Sequence, residues 1–405
     1  MTAASLVGCG SGVDSPPVSL EASRTWVTVP AYEIGSIHGE RASFQRISDV
    51  RLGDQGQRVY VVDPLEFQVT VWTPDGALLS SVGGEGEGPG EFRSPPRAIH
   101  VTQRGFQVLD GNHFVGFAAD GRHLATVPVP SSMSYRGFGF RPGLRLEDGS
   151  LLVYPGVGSA YRIGWWGDDP VSELPVVRLS QMSGQSGLWI ADTLAVLDVG
   201  NEILGTGSPD NLDLTSFTFQ PYRDSDQVIY NAQSQTVVLV RTKLAGRPGD
   251  VDLTELSAHG DTVWSRRMSF APLALPAEDV DELLDRGAED FARNRGGRVP
   301  PGVARRAIAD ALYVPEHYPP VQDVALASTG ELWMRTFEYA GADSLSVWYA
   351  VRVREAPYES PVRRILLPTS FSPHDATETH VWGVRRDAFD VRYVVGRRLV
   401  RREAE

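Results

Sequence analysis

The chain has 405 residues, of which 41% are hydrophobic and 22% charged, and its 41 Gly and 28 Pro supply many turn positions. This composition excludes a disordered chain, because it provides enough apolar surface for a large core. The net charge of −13 at pH 7 argues against a nucleic-acid partner, because such binding depends on basic groups that neutralise phosphates.

The first recognisable pattern surrounds Cys9, the only cysteine, so no intramolecular disulfide can form. The run ASLVGC that ends at Cys9 resembles the bacterial lipobox, in which an aliphatic residue and two small residues precede the cysteine. The resemblance implies that the Cys9 thiol carries diacylglycerol and that Cys9 is the mature N-terminus. We interpret residues 1–23 as a truncated signal and lipobox followed by a flexible tether.

This motif predicts an exported lipoprotein of the cell envelope, on the periplasmic side or in the outer membrane. The basic region and the apolar stretch of a normal signal peptide are missing before Cys9. We favour a start codon assigned too far downstream; a trimmed sequence and a chance match in a cytosolic protein are the alternatives. No other stretch reaches the roughly 18 apolar residues of a membrane-spanning helix, so we expect membrane contact only through the lipid anchor.

Short predicted strands then recur along the chain in groups of four. Residues 47–83 predict four strands separated by turns, and residues 97–127 repeat the same order. A four-stranded unit of about 40–50 residues is typical of a propeller blade. Residues 180–215 fit no unit and predict a loop or insertion. Further units are predicted at 145–179, 227–268, 322–367 and 371–400.

We therefore predict an all-β fold, a six-bladed β-propeller of four-stranded antiparallel blades that forms a single domain over residues 24–405. The last unit lacks a fourth strand, and the segment Thr25–Val29 has no partner before the first unit. Pairing the two removes two exposed sheet edges, so we predict that this N-terminal strand closes the ring.

One segment departs from the β pattern. Apolar residues recur at helical spacing from Ala277 to Arg295, and a second short helix is predicted from Val303 to Leu312. We interpret these helices as a short insertion over 277–312, or 277–314 with its flanking turn. We expect it to cap one end of the propeller.

The linker between the first two units carries a family resemblance. Its sequence GGEGEGPGEFRSP, residues 83–95, is similar to the linker of NHL-type repeats and of bacterial six-bladed propeller lipoproteins. The resemblance implies the propeller fold and leaves the function open. A phosphate-binding loop is a poor alternative, because the stretch lacks the G-x-G-x-x-G spacing and its glutamates would repel a phosphate.

Candidate ligand residues follow from the geometry of a propeller, in which the inner strands converge on one axis and the loops at one end form a shared concave face. The sequence contains none of the common motifs of hydrolases or zinc sites. The alternative for the aspartates is that they cap turns by accepting backbone N–H groups. The candidates for the ligand face are Asp49, Asp63, Arg97, Asp110, His113, Asp323 and His374.

Three functions remain open at this point. The first is a non-enzymatic, envelope-anchored propeller that binds a protein, peptide or glycan on its axial face and needs no cofactor. The alternative is a calcium-dependent lactonase or esterase, because the gluconolactonase group of six-bladed propellers holds a central calcium ion with acidic and amide residues. Carboxylates suit calcium, although the amide ligands of that group have no aligned counterpart in this sequence. The third is a structural module of a cell-envelope complex.

Overall fold

The computed structural model describes residues 18–19, 24–35, 44–130, 133–135, 138–155, 172–182, 188–201, 203–208, 211–242, 247–340, 345–352 and 362–402. Cys9 and most of the predicted tether lie outside these residues. Within them, no helix is long and apolar enough to cross a membrane.

The described residues form strands along almost the whole chain and two α-helices between the late strands. The helices are α1 (Ala277–Asn294) and α2 (Pro301–Ala311). The strands are β1 (Val18–Ser19), β2 (Arg24–Ile34), β3 (Asp49–Gly53), β4 (Arg58–Asp63), β5 (Gln68–Trp72), β6 (Leu78–Gly83), β7 (Pro96–Thr102), β8 (Gly105–Asp110), β9 (His113–Ala118), β10 (His123–Pro128), β11 (Ser134–Tyr135), β12 (Phe138–Arg145), β13 (Leu151–Pro155), β14 (Glu173–Gln181), β15 (Trp189–Asp198), β16 (Ile203–Ser208), β17 (Asn211–Phe219), β18 (Gln227–Asn231), β19 (Thr236–Arg241), β20 (Asp250–Leu256), β21 (Thr262–Ser269), β22 (Asp323–Leu326), β23 (Glu331–Ala340), β24 (Leu345–Arg352), β25 (Arg363–Pro368), β26 (Phe371–Ala376), β27 (His380–Arg386) and β28 (Arg392–Arg401).

The order of strands in the sheets follows their order in the chain. Strands β3 to β6 and β7 to β10 form two four-stranded antiparallel sheets in which each strand pairs with the next. Strands β12 to β15 and β18 to β21 do the same within two five-stranded sheets. The first strands of the units lie beside one another, since β3 contacts β7 and β26, and β22 contacts β18 and β26. The chain is therefore all-β with a propeller-like arrangement, and the first strand of each unit is innermost.

The fifth and sixth predicted units do not form separate sheets. Strands β22 to β25 and β26 to β28 belong to one eight-stranded sheet, because β2 pairs with β25 in parallel and with β28 in antiparallel register. The prediction of six separate four-stranded blades is therefore met only in part. Four sheets each hold one predicted unit, and the eight-stranded sheet holds the remaining two.

The predicted pairing of the N-terminal strand is confirmed. Trp26 pairs with Arg401 and Ile34 pairs with Val394, so β2 supplies the strand that the last unit lacks. The short strand β1 adds to another edge, since Val18 pairs in parallel with Met268 of β21. Both strands cover N–H and C=O groups that would otherwise stand free at sheet edges.

Apolar clusters between neighbouring sheets hold the units together. Val50 of β3 is fully buried and packs with Trp382 of β27, so the first unit contacts the last. On its other side, Tyr60 of the first unit packs on Phe106 of the second, with ring centroids 5.1 Å apart. Similar clusters join the other consecutive units. Burial of each such large side chain contributes about 1.5–3 kcal/mol, so these interfaces supply much of the stability.

The expectation of a loop or insertion over 180–215 is wrong for its middle part. Strand β15 pairs with β14 along its whole length and is the fourth strand of the third unit. Five of its ten residues are exposed, and its sequence lacks the regular apolar alternation that marks a half-buried strand. Strands β16 and β17 do form an insertion, a two-stranded hairpin. Residues 156–171 of the predicted unit 145–179 lie outside the described residues.

Both predicted helices are confirmed, and their apolar partner is the β16–β17 hairpin. Leu284 of α1 and Ile308 of α2 are buried against Leu204 of β16. Gln220 fixes the contact, because its Nε2 donates to the Ala311 carbonyl at 2.9 Å and its Oε1 accepts the Tyr313 N–H at 3.1 Å. Two insertions that are distant in sequence thus combine into one lobe beside the sheets.

Candidate functional site

Strand β3 is the innermost strand of the first unit. Val50 and Leu52 are buried in the cluster with the last unit, so strand alternation places Asp49 and Arg51 on the opposite face of the strand. Asp49 is 4% exposed, whereas the Arg51 side chain is 29% exposed. We call the end of the channel where the inner strands begin the upper end and the opposite end the lower end.

Two predicted ligand residues meet near the upper end. The Nδ1 atom of His374 lies 3.2 Å from Oδ1 of Asp49, and Nε of Arg51 lies 3.3 Å from the same oxygen. Burial would raise the pKa of Asp49, but the charge of Arg51 and the hydrogen bond from His374 outweigh it and lower the pKa to about 2. Asp49 therefore remains ionised at neutral pH. Its other oxygen accepts the backbone N–H of Ile99 in the next unit at 3.0 Å.

Arg51 crosses the channel and joins the first unit to the fifth and sixth. Its Nη1 donates to the carbonyl of Leu326 at 3.0 Å and to the carbonyl of His374 at 2.9 Å. Burial opposes its charge, yet the carboxylates of Asp49 and Asp375 raise the pKa of Arg51. Nη2 makes none of the hydrogen bonds found among the described residues.

Asp375 completes the contact between units, although the sequence pattern does not single it out. It is 3% exposed and accepts the backbone N–H groups of Leu52 at 2.8 Å, Ser328 at 2.6 Å and Ala376 at 2.7 Å. Burial raises its pKa, and the charge of Arg51 and these N–H groups oppose the rise. We call Asp49, Arg51, His374 and Asp375 the carboxylate network. It ties three units together at the axis.

Two further predicted residues serve the backbone. Asp63 accepts the N–H of Gln45 at 2.9 Å and is 4% exposed. Asp110, at the same position in the second unit, accepts the N–H of Arg93 at 2.8 Å and of Ser94 at 2.6 Å. Each carboxylate thus fixes the chain segment that enters its own unit. These contacts match the turn-capping alternative for both residues.

The remaining predicted residues are not brought together with the pair at the upper end. Arg97 and Asp323 are exposed and His113 is partly exposed. Asp323 accepts the N–H of its neighbour Val324 at 2.9 Å. Among the described residues, no hydrogen bond or ion pair joins these three side chains to Asp49 or His374. The seven candidates therefore do not form one site.

The same carboxylates fit a calcium ion poorly. A calcium site needs several oxygen ligands that converge on one point, whereas Asp49, Asp63 and Asp110 direct theirs at backbone N–H groups. In the part of the chain that the structure describes, no group of three or more His, Cys, Asp or Glu side chains could hold a metal ion.

A large cavity opens at the lower end of the channel instead. This funnel has a volume of about 820 Å³ and is lined by residues of several units. A volume of this size is typical of sites for small ligands. Its wall is rich in uncharged polar side chains that can donate and accept hydrogen bonds. The amides are Gln55, Gln103 and Gln233, and the hydroxyls are Tyr60, Thr102, Ser328, Thr329 and Thr377.

A smaller chamber of about 50 Å³ continues the funnel toward the axis, and Leu52, Val101, Gln233 and Ser328 line both. Arg51, His100 and Tyr230 contribute polar groups to the chamber. Nε2 of His100 and the hydroxyl of Tyr230 are buried and have no hydrogen-bond partner among the described residues. A buried polar atom without a partner costs about 1–3 kcal/mol.

His100 is uncharged at neutral pH. Burial and the positive charge of Arg51 lower its pKa to about 4, while the charge of Asp49 and a hydrogen bond to the Gly143 backbone act in the opposite direction. Since one ring N–H donates to that carbonyl, Nε2 carries the lone pair of the neutral ring.

Two backbone features shape this end of the channel. A Cβ on Gly143 would lie 2.3 Å from ring atoms of Tyr230, so glycine makes room for the ring. At the rim, Asp54 and Gln55 have φ values of 51° and 54°, a left-handed conformation that is unfavourable for residues other than glycine. Such strain is often found at ligand-binding sites.

Sequence reasoning did not select His100, Tyr230 or Arg51. The available signal was the alternation in β7, where the polar His100 stands between the apolar Ile99 and Val101 and therefore faces the axis. Tyr230 gave no such signal, because its ring packs against an apolar cluster between the third and fourth units.

Comparisons with known proteins identify no family and no curated relative. No family model matches the chain, and a search of curated proteins finds no match. Similar solved structures include a DUF4221 family member from Bacteroides vulgatus, with 8% identity, a TM-score of 0.48 and coverage of 94% of this chain and 100% of that one.

Two others are the calcium-binding protein regucalcin from Agrobacterium tumefaciens, with 10% identity, a TM-score of 0.39 and coverage of 93% and 97%, and the β-propeller domain of Cps50 from Myceliophteria thermophila, with 10% identity, a TM-score of 0.35 and coverage of 93% and 90%. The propeller-like arrangement of this chain therefore rests on its own strand order and on the clusters between its units.

Proposed function

We propose that this chain is an envelope-anchored propeller that binds a polar ligand in the funnel at the lower end of its channel and does not catalyse a reaction. The observation that carries this proposal is the cavity of about 820 Å³, whose wall presents amide and hydroxyl side chains from several units. A ligand in this cavity can form hydrogen bonds with these groups.

The contacts of Asp49, at the opposite end of the channel from the funnel, support binding rather than hydrolysis. The ionised carboxylate of Asp49 is held by Arg51, His374 and the N–H of Ile99, so it has no free position for a water molecule to activate. A calcium-dependent lactonase would need a cluster of ligands for the calcium ion, and the described residues contain no such cluster. Binding of a protein, peptide or glycan needs no such cluster.

The number of blades and the cellular location are part of the same proposal. We propose to treat the eight-stranded sheet as two blades, β22–β25 and β26–β28 with β2, which would give six blades in all. The NHL-like linker and the lipobox-like run at Cys9 support an exported lipoprotein. Mass spectrometry of the full-length gene product should find diacylglycerol on Cys9. An unmodified thiol would contradict the lipoprotein proposal without affecting the proposed binding site.

Binding in the funnel is tested by blocking it. Gln233 is exposed on the funnel wall, so Gln233→Trp should fill part of the cavity without disturbing the core. Gln181→Trp makes the same change at the exposed end of β14 and is the control. We expect at least one compound from a panel of oligosaccharides and peptides to raise the melting temperature of the native protein and of Gln181→Trp, but not of Gln233→Trp. If the same compound also raises the melting temperature of Gln233→Trp, the proposed site is contradicted.

A further inference from the structure

Two neighbouring units each display a large apolar side chain on a hairpin tip at the upper end. Phe389, between β27 and β28, is 88% exposed, and Leu65, between β4 and β5, is 53% exposed. Both tips lie at the upper end, because β4 and β27 are antiparallel to the innermost strands that begin there. The two units adjoin through the cluster that contains Val50 and Trp382. The tips are therefore neighbours on one face of the protein.

Both tips fix their apolar residue in the same way. An aspartate ends the second strand of the unit, and its carboxylate accepts the N–H of the residue two positions later. Asp387 accepts from Phe389 at 2.9 Å, and Asp63 accepts from Leu65 at 3.1 Å. In the second unit the equivalent position after its aspartate holds the exposed Asn112. The position therefore does not require an apolar residue, although two units place one there.

The turn around Phe389 has further hydrogen bonds that keep the ring in solvent. Asp387 also accepts the N–H of Val391 at 3.0 Å and the hydroxyl of Tyr393 at 3.2 Å. A phenylalanine at the end of a loosely held loop could fold back onto the protein, whereas this turn holds it outward. Large apolar groups displayed in this manner mark a surface that another phase or molecule covers.

The charges around the two tips are of both signs. Arg46 is exposed, and its side chain makes no hydrogen bond or ion pair among the described residues, while Arg386 lies 3.5 Å from Asp390. On the acidic side, Glu66 accepts a hydrogen bond from Gln45, and Glu85 in the adjoining linker is exposed. A zwitterionic lipid headgroup presents a phosphate to the arginines and an ammonium group to the glutamates. This charge pattern therefore matches a phospholipid surface.

The spacing of the tips favours a bilayer over a protein partner. Protein interfaces have a continuous, closely packed apolar core, whereas Phe389 and Leu65 project separately from two different units. Single aromatic and aliphatic side chains can enter the fluid interface of a bilayer one by one, with arginines beside them at the level of the headgroups.

The N-terminal tether also meets the folded part at the upper end. Val18 of β1 pairs with Met268, one residue before the end of β21, and β21 ends at the upper end. Cys9 precedes Val18 by nine residues, a distance that a chain spans over at most about 30 Å. A lipid on Cys9 would therefore hold the upper end close to the bilayer.

From these observations we infer that the upper end docks on the phospholipid bilayer, with Phe389 and Leu65 inserted at the level of the headgroups. The funnel at the lower end then faces away from the membrane and is open to its ligand. This inference rests on the lipoprotein part of the proposed function and is independent of what the funnel binds.

The test measures the depth of spin labels in the full-length lipoprotein on vesicles of phosphatidylethanolamine and phosphatidylglycerol. The lipid blocks the thiol of Cys9, so Phe389→Cys and Leu65→Cys each offer one free thiol for a nitroxide. Power-saturation EPR compares collisions with oxygen, which concentrates in the bilayer, and with a nickel chelate, which stays in water. We expect severalfold fewer nickel collisions at both tips than at Leu124→Cys. Leu124 is the matched control, because it is 51% exposed at the lower end of β10.

A second variant tests whether the two tips insert together. In the protein labelled at Leu65→Cys, Phe389→Ser should return the label toward water and raise its nickel collisions. Leu79→Ser is the control, since Leu79 is an exposed leucine near the lower end of β6, and it should leave the label immersed. Circular dichroism shows whether each variant is folded.

The outcomes separate this inference from the proposed function. If the lipidated protein is bound to vesicles but the tip labels meet the nickel chelate as often as the label at Leu124→Cys, the docking inference is wrong and the lipoprotein proposal stands. Shielding of the Leu124→Cys label alone would show the opposite orientation and also contradict the inference. If mass spectrometry finds no lipid on Cys9, both the lipoprotein proposal and the docking inference fail, and binding in the funnel is unaffected.

Discussion

In the carboxylate network, Asp49 and Asp375 direct their oxygens to backbone N–H groups of neighbouring units, whereas in the chamber next to it His100 and Tyr230 hold polar atoms without partners. Arg51 belongs to both regions. Acidic residues near a channel axis can therefore serve the contact between units rather than a ligand. The four predictions below test this contrast, beginning with the largest expected effect.

Asp375→Ala should cause the largest loss of stability. The substitution removes the acceptor of the Leu52 and Ser328 N–H groups, which belong to other units. It also removes one of the carboxylates that balance the charge of Arg51. The free energy of unfolding should therefore fall by about 3–5 kcal/mol. Asp323→Ala is the control, because Asp323 is exposed and accepts the N–H of its own neighbour, and it should cost under about 1 kcal/mol. Urea denaturation measures both. Equal losses would mean that the network is not what holds the units together.

Gly143→Ala should disturb the chamber side. The added methyl group would lie within 2.7 Å of the Tyr230 ring and hydroxyl, and overpacking of this kind costs about 1–3 kcal/mol. Gly139→Ala on the same strand is the control, because its Cβ would have no atom within 4 Å. Thermal denaturation should separate the two variants, and a similar melting temperature for both would contradict the packing described for Tyr230.

Lowering the pH should destabilise the protein, because His100 is buried in its neutral form. Its folded pKa is about 4 against an ordinary value of 6.5, so between these values the unfolded chain binds a proton that the folded chain does not. The stability that neutral His100 contributes is therefore complete at pH values above its pKa in the unfolded chain. It is lost as the pH falls toward its pKa in the folded chain. Between about pH 7.5 and about pH 5.5 the loss should be about 1–2 kcal/mol.

Urea denaturation of native protein and His100→Phe at both pH values isolates this contribution. The variant should lose less stability than the native protein over the same interval. His123→Phe controls for removal of a histidine and should lose as much as the native protein. If native protein and His100→Phe lose the same amount, His100 is not buried in its neutral form.

His374→Ala should have the smallest effect. The side chain is 21% exposed and makes one hydrogen bond to Asp49, so its loss should cost about 1 kcal/mol. Because that bond helps to lower the pKa of Asp49, the pKa should rise in the variant, which NMR titration of the carboxyl can measure. Ligand binding in the funnel should be unchanged. A loss of binding would place the upper end in the site.

Much of the fold was predictable because it depends on local, repeated patterns. The four strands from Asp49 to Gly83 are short runs that end at turns, and the same is true of the unit from Asp323 to Pro368. The pairing of β2 with β28 also followed from counting strands against free edges. The exposed strand β15 was missed, since an edge strand in water needs no apolar alternation.

The site was far less predictable, because it depends on how residues of different units meet. Asp49 and His374 were selected for their position and do lie 3.2 Å apart, yet nothing in the sequence shows that Asp49 also binds the N–H of Ile99. Nε2 of His100 and the Tyr230 hydroxyl have no hydrogen-bond partner among the described residues. This becomes visible only when every neighbouring residue is in place. The same limit applies to Asp375, whose partners come from two other units.

The pairing of β2 with β28 also has a consequence for how the chain folds. The register joins Trp26 to Arg401, so this contact closes a loop that contains nearly the whole polypeptide. Closing so long a loop costs conformational entropy that local hairpins do not pay, and contacts of such large sequence separation are formed slowly. The individual hairpins can assemble as soon as they are synthesised, but the last sheet edge stays open until the C-terminal strand has emerged. During that interval the nascent protein exposes a strand edge to other chains, which makes it a natural substrate for chaperones.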